Sequence, residues 1–382
     1  ISALNTINSG FQVAFMAPTE ILAKQHYSLA LKIFPKNVNI ELVSGKSEYK
    51  KKKEIQKKLL LNEIDILFGT HALFQKKINF KKLGLIIIDE QHKFGVNQRK
   101  KLSDKGGPNC DVLLMSATPI PRTLTMTIYG DMDLSIIKEK PKFRKEVKTY
   151  TKLESKIDEI IKFVKKEIKN GNQVFWVCPL IDESKKIDHS SAIIKFKFLE
   201  KIFPKKVALL HGKTDPIEKD LILNKFLNKK FDILVSTTII EVGIDFPNAN
   251  VIIIENANKF GLSQLHQLRG RVGRGNKESS CILMFKSSLT ENAKKRLSIL
   301  KKTNDGFEIS EEDMKLRGYG DILGFKQSGL KIFKLADPVL NENLFRLAEN
   351  EIKRIEKNNE DIGKFKTLMK LYDQADIIND IV

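Results

Sequence analysis

Ten short runs of Val, Ile, Leu and Phe alternate with longer amphipathic stretches along this sequence. Such alternation is typical of parallel α/β units, in which a helix follows each buried strand and covers the sheet. The first five runs lie at 13–16, 40–43, 64–68, 85–88 and 112–115. The other five lie at 174–177, 207–210, 233–235, 251–254 and 281–285. The sequence therefore predicts an α/β protein with two parallel sheets.

A polar, proline-broken segment at 138–144 separates the two series and is typical of a linker. After about residue 290 the strand pattern stops, and apolar residues recur at helical spacing. We therefore expect one domain over 1–142, a second over 143–290, and a mainly helical region over 291–382. Two such sheets predict a cleft between the domains, since ligands bind at the carboxyl ends of parallel strands.

Composition excludes several classes of protein. The apolar runs are too short to span a bilayer, and nothing at the N-terminus resembles a signal peptide. The three cysteines are isolated, which argues against a disulfide framework or a zinc site. We expect a cytoplasmic protein that has no membrane partner. A net charge of +20 favours a polyanionic partner, although the excess lysine accompanies many Ile and Asn residues, as an AT-rich genome would produce.

An acidic box, Asp89-Glu90, follows the apolar run 85–88. Carboxylates at the carboxyl end of a strand can hold Mg²⁺ and polarise a water molecule. We expect Asp89 to bind Mg²⁺ and Glu90 to activate the attacking water; the alternative is a solvated pair at a strand end. Ser116 and Thr118 follow the run 112–115, where small hydroxyl residues can relay the state of a bound γ-phosphate to nearby loops.

Two arginines, Arg271 and Arg274, follow glycines much later in the chain. Guanidinium groups can neutralise charge on a transferring phosphoryl group, and Gly270 and Gly273 would let the backbone approach a partner closely. The alternative is a basic cluster on the surface. Together with the acidic box, the arginines predict an ATPase that uses ATP and Mg²⁺, with a site formed between the two domains.

The phosphate-cradling loop of such an ATPase, Gly-x-x-x-x-Gly-Lys-Ser/Thr, is normally upstream of the acidic box. The candidate at 44–47 has Ile40 where the first glycine should stand, so an ordinary loop is the better interpretation. We therefore expect the sequence, which begins with Ile1, to be a fragment cut just downstream of its P-loop. We expect the fragment alone to be inactive as an ATPase.

Two loops that follow predicted strands in the first half suit phosphate binding. Pro18-Thr19 opens a predicted helix with Thr19 as its N-cap, and Gly69-Thr70-His71 follows the run 64–68. Exposed N–H groups at helix starts bind phosphates, and two such loops on one sheet edge favour a nucleic-acid track over simple capping.

The second half has a comparable loop after the run 233–235. Its hydroxyl residues, Thr237 and Thr238, suit phosphate contacts. Gly243 and Asp245, a few residues further on, suit a nucleotide edge or ribose. The order of these loops along the chain, together with the acidic box and the arginine pair, is what indicates a shared function.

In that order, the boxes resemble the motor of superfamily 2 helicases from motif Ia onward. The segments that match motifs Ia, Ib, II, III, V and VI are 17–20, 69–71, 89–92, 116–118, 236–245 and 267–274. More closely, the chain resembles the RecG family of bacterial ATP-dependent DNA helicases. That resemblance rests on the extended acidic box 89–99, on 116–122 and 255–262, and on 313–321 with 327–329, which is similar to the family's translocation motif.

The resemblance implies two RecA-like domains, a nucleotide-binding role for Gln267, and a coupling role for Arg317 and Gln327. It also implies a monomeric motor on branched or double-stranded DNA that remodels stalled forks and Holliday junctions. The family's wedge domain is absent from this sequence. A transcription-repair coupling factor is one alternative, although it usually has glutamate where Gln91 stands. A DNA-binding module without ATPase activity is the other.

Overall fold

The structure of the chain is a computed structural model. It describes residues 1–43, 49–70, 73, 78–90, 107, 110–116, 135–137, 139, 145–179, 187–212, 214–237, 246–317, 341–358 and 362–365. These residues form two compact units, one containing those up to 116 and the other those from 135 onward. Each unit has its own parallel sheet, which confirms the predicted fold class. The domain boundaries after 142 and 290 stay predictions, and the expected linker lies almost wholly outside the described residues.

The first unit is a five-stranded parallel sheet with helices. Its strands are β1 Gln12–Met16, β2 Ile40–Val43, β3 Ile66–Gly69, β4 Leu83–Ile88 and β5 Asp111–Leu114. Its helices are α1 Ser2–Asn8, α2 Glu20–Ile33 and α3 Tyr49–Leu61. The strand order is β2-β3-β1-β4-β5, with all neighbours parallel. Leu85 and Ile87 of β4 pack into one core and Ile86 and Ile88 into another, because successive side chains point to opposite faces of a sheet. Both faces of β4 are therefore covered, which explains its unbroken apolar run.

The second unit is a six-stranded parallel sheet. Its strands are β6 Val147–Leu153, β7 Gln173–Val177, β8 Val207–Leu210, β9 Ile233–Ser236, β10 Ala249–Ile254 and β11 Ser279–Phe285. Its helices up to β11 are α4 Ile157–Lys169, α5 Ile187–Ile202, α6 Pro216–Leu227 and α7 Leu262–Arg269. The order is β6-β11-β10-β7-β9-β8. All ten predicted strands are present to within two residues at either end. The prediction missed β6, an edge strand in which exposed residues alternate with buried or half-buried ones over most of its length, so that it has no apolar run.

Within the described ranges, the elements after β11 are all helical. They are α8 Glu291–Lys302, α9 Gly306–Arg317, α10 Glu342–Lys357 and a short 3₁₀ turn, Ile362–Phe365. This agrees with the helical region expected there. In the described part of the chain, no helix is both long and apolar enough to cross a membrane.

The second unit repeats the strand order of the first. Read from the opposite edge, β8-β9-β7-β10-β11 has the connectivity of β2-β3-β1-β4-β5. A buried glutamine opens the first strand of each repeat. The side chain of Gln12 donates to the carbonyl of Leu59 near the end of α3, and that of Gln173 donates to the carbonyl of Phe226 near the end of α6. A buried carbonyl needs a donor, so the same side chain serves the same purpose twice.

Candidate nucleotide and nucleic-acid sites

Four of the predicted motifs meet at the carboxyl edge of the first sheet. The N–H of Asp89 donates to the carbonyl of Met16 at 2.9 Å, and the N–H of Ala17 donates to the carbonyl of Gly69 at 2.9 Å. The N–H of Met115, just before Ser116, donates to a carbonyl of β4. The backbone hydrogen bonds between neighbouring strands thus continue one residue beyond the ends of β1, β4 and β5. They bring the acidic box and the loops around residues 18, 70 and 116 to one edge of the sheet.

Asp89 is held in place rather than freely solvated. Its side chain is 19% exposed, and its Oδ2 lies 2.9 Å from Nε2 of His26 on α2. Its Oδ1 accepts the N–H of Glu90 at 2.9 Å. An ionised carboxylate only accepts hydrogen bonds, so we assign the proton to Nε2 of His26. The solvated-pair alternative therefore does not describe Asp89.

Glu90 has a left-handed backbone, with φ of +51°. That conformation is costly for a residue with a long side chain, and such outliers cluster at functional sites. Among the described residues no group of three or more His, Cys, Asp or Glu could hold a metal. A single carboxylate suits Mg²⁺ nevertheless, because this ion is commonly bound by one or two carboxylates, phosphates and water. The oxygen donors of Asp89 fit that requirement.

Thr19 is the N-cap of α2, as predicted. Its Oγ1 accepts the N–H of Leu22 at 3.3 Å. A hydroxyl that accepts can still donate, so Thr19 can donate to a phosphate oxygen while capping the helix. Glu20 in the first turn reduces the positive field there. Any phosphate beside Pro18 and Thr19 would therefore be bound by directed donors more than by the helix dipole.

Gly69 and Thr70 are packed more tightly than a surface loop. A Cβ at Gly69 would lie 2.9 Å from the carbonyl oxygen of Val43, so glycine is required by packing inside the unit. Thr70 is 2% exposed, and its Oγ1 has no hydrogen-bond partner among the described residues. A buried polar group without a partner costs about 1–3 kcal/mol. His71 lies outside the described residues.

Thr237 has the same place in the second sheet, directly after β9. It is 3% exposed, and its Oγ1 likewise has no partner in the described part of the chain. Three other predicted residues of this region, Thr238, Gly243 and Asp245, lie outside the described residues, as do Thr118 and Gln327. Only the backbone of Arg317 is described, and it ends α9.

The arginine pair follows α7, which carries the partly buried Gln267. Arg271 is only 8% exposed, so the alternative of a surface basic cluster is wrong for that residue. Arg274 is partly exposed, and its Nε donates to the carbonyl of Gly270 at 3.4 Å. Gly273 has φ of +75°, and a Cβ there would lie 2.9 Å from the side chain of Val147. This glycine therefore allows close packing against β6, and its expected role of admitting a partner stays a prediction.

Sequence reasoning missed Arg269, two residues before the pair. This arginine is 3% exposed and donates to the carbonyls of Leu300 at 2.8 Å and Thr303 at 2.9 Å, at the end of α8. Burial lowers the pKa of Arg269, while these carbonyls stabilise its charged form. The hydroxyl of Ser263, also on α7, donates to the carboxylate of Asp313 on α9. The arginine element, defined as α7 with the pair Arg271 and Arg274 that follows it, is therefore hydrogen-bonded to both α8 and α9.

Glu255 begins one of the segments that resemble the family, and it is also the centre of a buried cluster. Its carboxylate accepts Nε1 of Trp176 at 2.9 Å and Nζ of Lys195 at 2.7 Å. The Sγ of Cys178 lies 3.8 Å away, and burial together with this carboxylate raises the pKa of the thiol. The N–H of Glu255 donates to the carbonyl of Val177 at 2.9 Å.

The repetition of the two sheets is also visible in the sequence. Segments 10–18 and 171–179 share Gly-x-Gln-Val-x-x-x-x-Pro. Segments 65–70 and 232–237 share Asp-Ile-Leu-x-x-Thr. These matches are the signal by which sequence alone could have identified Thr237 as the equivalent of Thr70.

Comparison with protein families gives three matches in chain order. Residues 1–127 match the DEAD/DEAH box helicases, and residues 155–276 match the helicase conserved C-terminal domain. Residues 303–374 match the C-terminal part of domain 3 of the ATP-dependent DNA helicase RecG.

Individual relatives agree with these matches. The ATP-dependent DNA helicase RecG of Bacillus subtilis (strain 168) is 50% identical over 342 residues, which cover 89% of this chain and 50% of that protein. RecG of Aquifex aeolicus (strain VF5) is 48% identical, over 97% of this chain and 48% of that protein. A solved structure of RecG bound to a three-way DNA junction is 44% identical, with a TM-score of 0.69. The similarity covers 88% of this chain and 44% of that one.

Two RecA-like sheets that carry helicase motifs in this order define a superfamily 2 helicase motor. Within that class the chain belongs to the RecG family, as its motifs predicted. The match over 303–374 favours this family over the transcription-repair coupling factors. The chain spans about half the length of the curated relatives that it matches.

Proposed function

We propose that the chain is the motor of an ATP-dependent translocase that moves on double-stranded DNA and remodels stalled replication forks and Holliday junctions. The observation that carries this proposal is the convergence of Asp89 with the loops at Thr19 and Thr70 on one sheet edge. The solved RecG relative bound to a three-way DNA junction supports branched DNA as the partner. We further propose that the protein acts as a monomer in the cytoplasm.

For the nucleotide, we propose that Asp89 would hold the Mg²⁺ that accompanies ATP, and that Glu90 accepts a proton from the attacking water. When bound, the metal neutralises charge on the phosphates. Arg271 and Arg274 stabilise the charge that develops on the transferred phosphoryl group. We assign nucleotide binding also to Gln267, Gly243 and Asp245.

For DNA, we propose that post-strand loops of both sheets follow the phosphate backbone. The residues assigned to DNA contact or to its coupling are Pro18, Thr19, Gly69, Thr70, His71, Ser116, Thr118, Thr237 and Thr238. The burial of Thr70 and Thr237 favours coupling for these two, since their hydroxyls do not reach solvent. A buried hydroxyl that lacks a partner would gain one when an adjoining loop moves.

For coupling, we propose that the C-terminal helices transmit movement of the arginine element to DNA through Arg317 and Gln327. Two connections within the second unit support this route. Arg269 of α7 binds carbonyls at the end of α8, and Ser263 of α7 binds Asp313 of α9. Arg317 is the last residue of α9, one turn beyond Asp313.

The test uses a RecG hybrid, defined as Bacillus subtilis RecG in which this chain replaces the matching half. We expect DNA-stimulated ATP hydrolysis and unwinding of a three-way junction. The Glu90→Gln hybrid should bind ATP but not hydrolyse it, because an amide cannot accept the proton of water. Lys277→Ala, an exposed change in the second unit, is the control and should match the parent.

The alternative function is a DNA-binding module without ATPase activity. The same experiment decides between the two functions. A hybrid that binds junction DNA but never hydrolyses ATP would support the binding module and defeat the motor.

A further inference from the structure

His26 is fixed against the carboxylate that we assign to Mg²⁺. It lies on α2, and its Nε2 is 2.9 Å from Oδ2 of Asp89. Its ring packs on Phe15 of β1 with centroids 4.7 Å apart, and Phe15 packs in turn on Phe68 of β3 at 4.9 Å. The orientation of the imidazole is therefore set by the sheet, and the imidazole in turn sets the orientation of the carboxylate.

The second unit contains the same arrangement. Glu255, like Asp89, donates its N–H to the last residue of the first strand of its repeat, and Lys195 from the helix after that strand reaches its carboxylate at 2.7 Å. The two carboxylates differ in their hydrogen-bond partners and in their exposure. Glu255 also accepts Trp176 and is 12% exposed, whereas Asp89 is 19% exposed. The carboxylate of Glu255 thus has side-chain partners in Trp176, Lys195 and Cys178, whereas that of Asp89 has His26 and the N–H of Glu90.

Resting on the proposed function, we propose that His26 is a positioning residue for Mg²⁺. It holds Oδ2 of Asp89, while the N–H of Glu90 donates to Oδ1, and each oxygen keeps a lone pair for the metal or for water bound to the metal. Hydrogen-bond partners of metal-binding carboxylates orient their ligands, and removing such a partner typically costs about 10–100-fold in metal affinity or activity.

Three control variants accompany the test variants His26→Ala and His26→Asn. His26→Gln keeps an amide N–H donor at about the reach of Nε2, whereas His26→Asn carries its donor one bond too short. Gln25→Ala alters an exposed neighbour on the same helix. Lys195→Met removes the equivalent donor from the second unit, where we propose no metal.

The experiment measures Mn²⁺, as a spectroscopic substitute for Mg²⁺, bound by the RecG hybrid with a non-hydrolysable ATP analogue, using electron paramagnetic resonance. We expect His26→Ala and His26→Asn to weaken Mn²⁺ binding about 10–100-fold. His26→Gln, Gln25→Ala and Lys195→Met should bind Mn²⁺ as the parent does. Binding of the analogue in EDTA should be the same in every variant, since the effect requires the metal.

The outcomes separate this inference from the proposed function. A parent hybrid that binds neither analogue nor Mn²⁺ would defeat the proposed function and this inference with it. A parent that binds both, with parental Mn²⁺ affinity in His26→Ala and His26→Asn, would overturn the role of His26 alone. Should His26→Ala not fold, the contrast between His26→Gln and His26→Asn decides, and equal affinities of these two would overturn the inference.

Discussion

Glu90 and Asn256 have the same left-handed backbone at equivalent places in the two sheets. Each follows the acidic residue at the end of its strand, with φ of +51° for Glu90 and +47° for Asn256. The turn is therefore a property of the repeated fold. Asn tolerates this conformation far better than Glu, so the first unit carries a residue that the local backbone disfavours. If Glu90 accepts the proton of the attacking water, as proposed, stability and activity should oppose each other at this position.

The first prediction concerns this opposition. We expect Glu90→Asn to raise the free energy of unfolding by on the order of 1 kcal/mol, since it relieves backbone strain. It should at the same time abolish ATP hydrolysis in the RecG hybrid. Denaturant unfolding and ATPase assays measure the two effects, with Glu90→Gln as the variant that loses activity without relief of strain. Parental turnover in Glu90→Asn would remove Glu90 from the chemistry.

The second prediction concerns Arg274. Arg274→Ala should lower the turnover of the hybrid by about 10³-fold, as expected when charge stabilisation in a phosphoryl-transfer transition state is lost. Binding of the ATP analogue should change little. Lys277→Ala removes a nearby positive charge from an exposed position and serves as the control. Equal losses in both variants would indicate a general effect of charge rather than a role for Arg274.

The third prediction uses the two buried hydroxyls. Thr70→Val and Thr237→Val replace a group that has no partner in the described structure by an apolar group of similar shape, so thermal stability should stay the same or rise. DNA-stimulated ATPase activity should nevertheless fall, because coupling is lost. Thr290→Val is the matched control: this residue caps α8, and its loss should cost about 1 kcal/mol. Stable variants with full DNA stimulation would show that the hydroxyls have no function.

The fourth prediction separates a translocase from a simple ATPase. Arg317→Ala in the hybrid should fold and keep most of its DNA-stimulated ATPase activity while losing junction unwinding. ATP consumed and junction converted are measured in one reaction. A proportional loss of both would indicate destabilisation, and unchanged unwinding would exclude Arg317 from coupling.

The fifth prediction concerns the chain by itself. Residues 1–382 should bind duplex DNA of any sequence without hydrolysing ATP, because the sequence has no P-loop pattern to anchor the β- and γ-phosphates. Affinity measured by fluorescence anisotropy should fall steeply as salt rises, since phosphate contacts release counterions. ATP hydrolysis stimulated by DNA in this chain would contradict the interpretation of residues 44–47.

The amino-acid sequence is sufficient to predict the class of the fold, because buried parallel strands need unbroken apolar runs. A run such as 85–88 can be recognised without knowing which strands lie beside it. The sequence also gives the identity and order of the motifs, because a motif such as Asp89-Glu90 is recognised from consecutive residues of the chain. Strand β6 was missed for the converse reason: an edge strand covered on one face needs no apolar run.

Which distant residues contact these motifs can be seen in the tertiary structure alone. The hydrogen bond between His26 and Asp89 joins residues 63 positions apart, and that between Ser263 and Asp313 joins residues 50 apart. The structure also packs Gly273 against β6 and buries Arg271. Local chemistry predicted neither, since it indicated a close approach to a partner for the glycine and left a surface basic cluster open for the arginine. Local pattern fixes what a segment can form, whereas burial and long-range hydrogen bonds depend on which strands become neighbours, and strand order is set by the packing of the whole sheet.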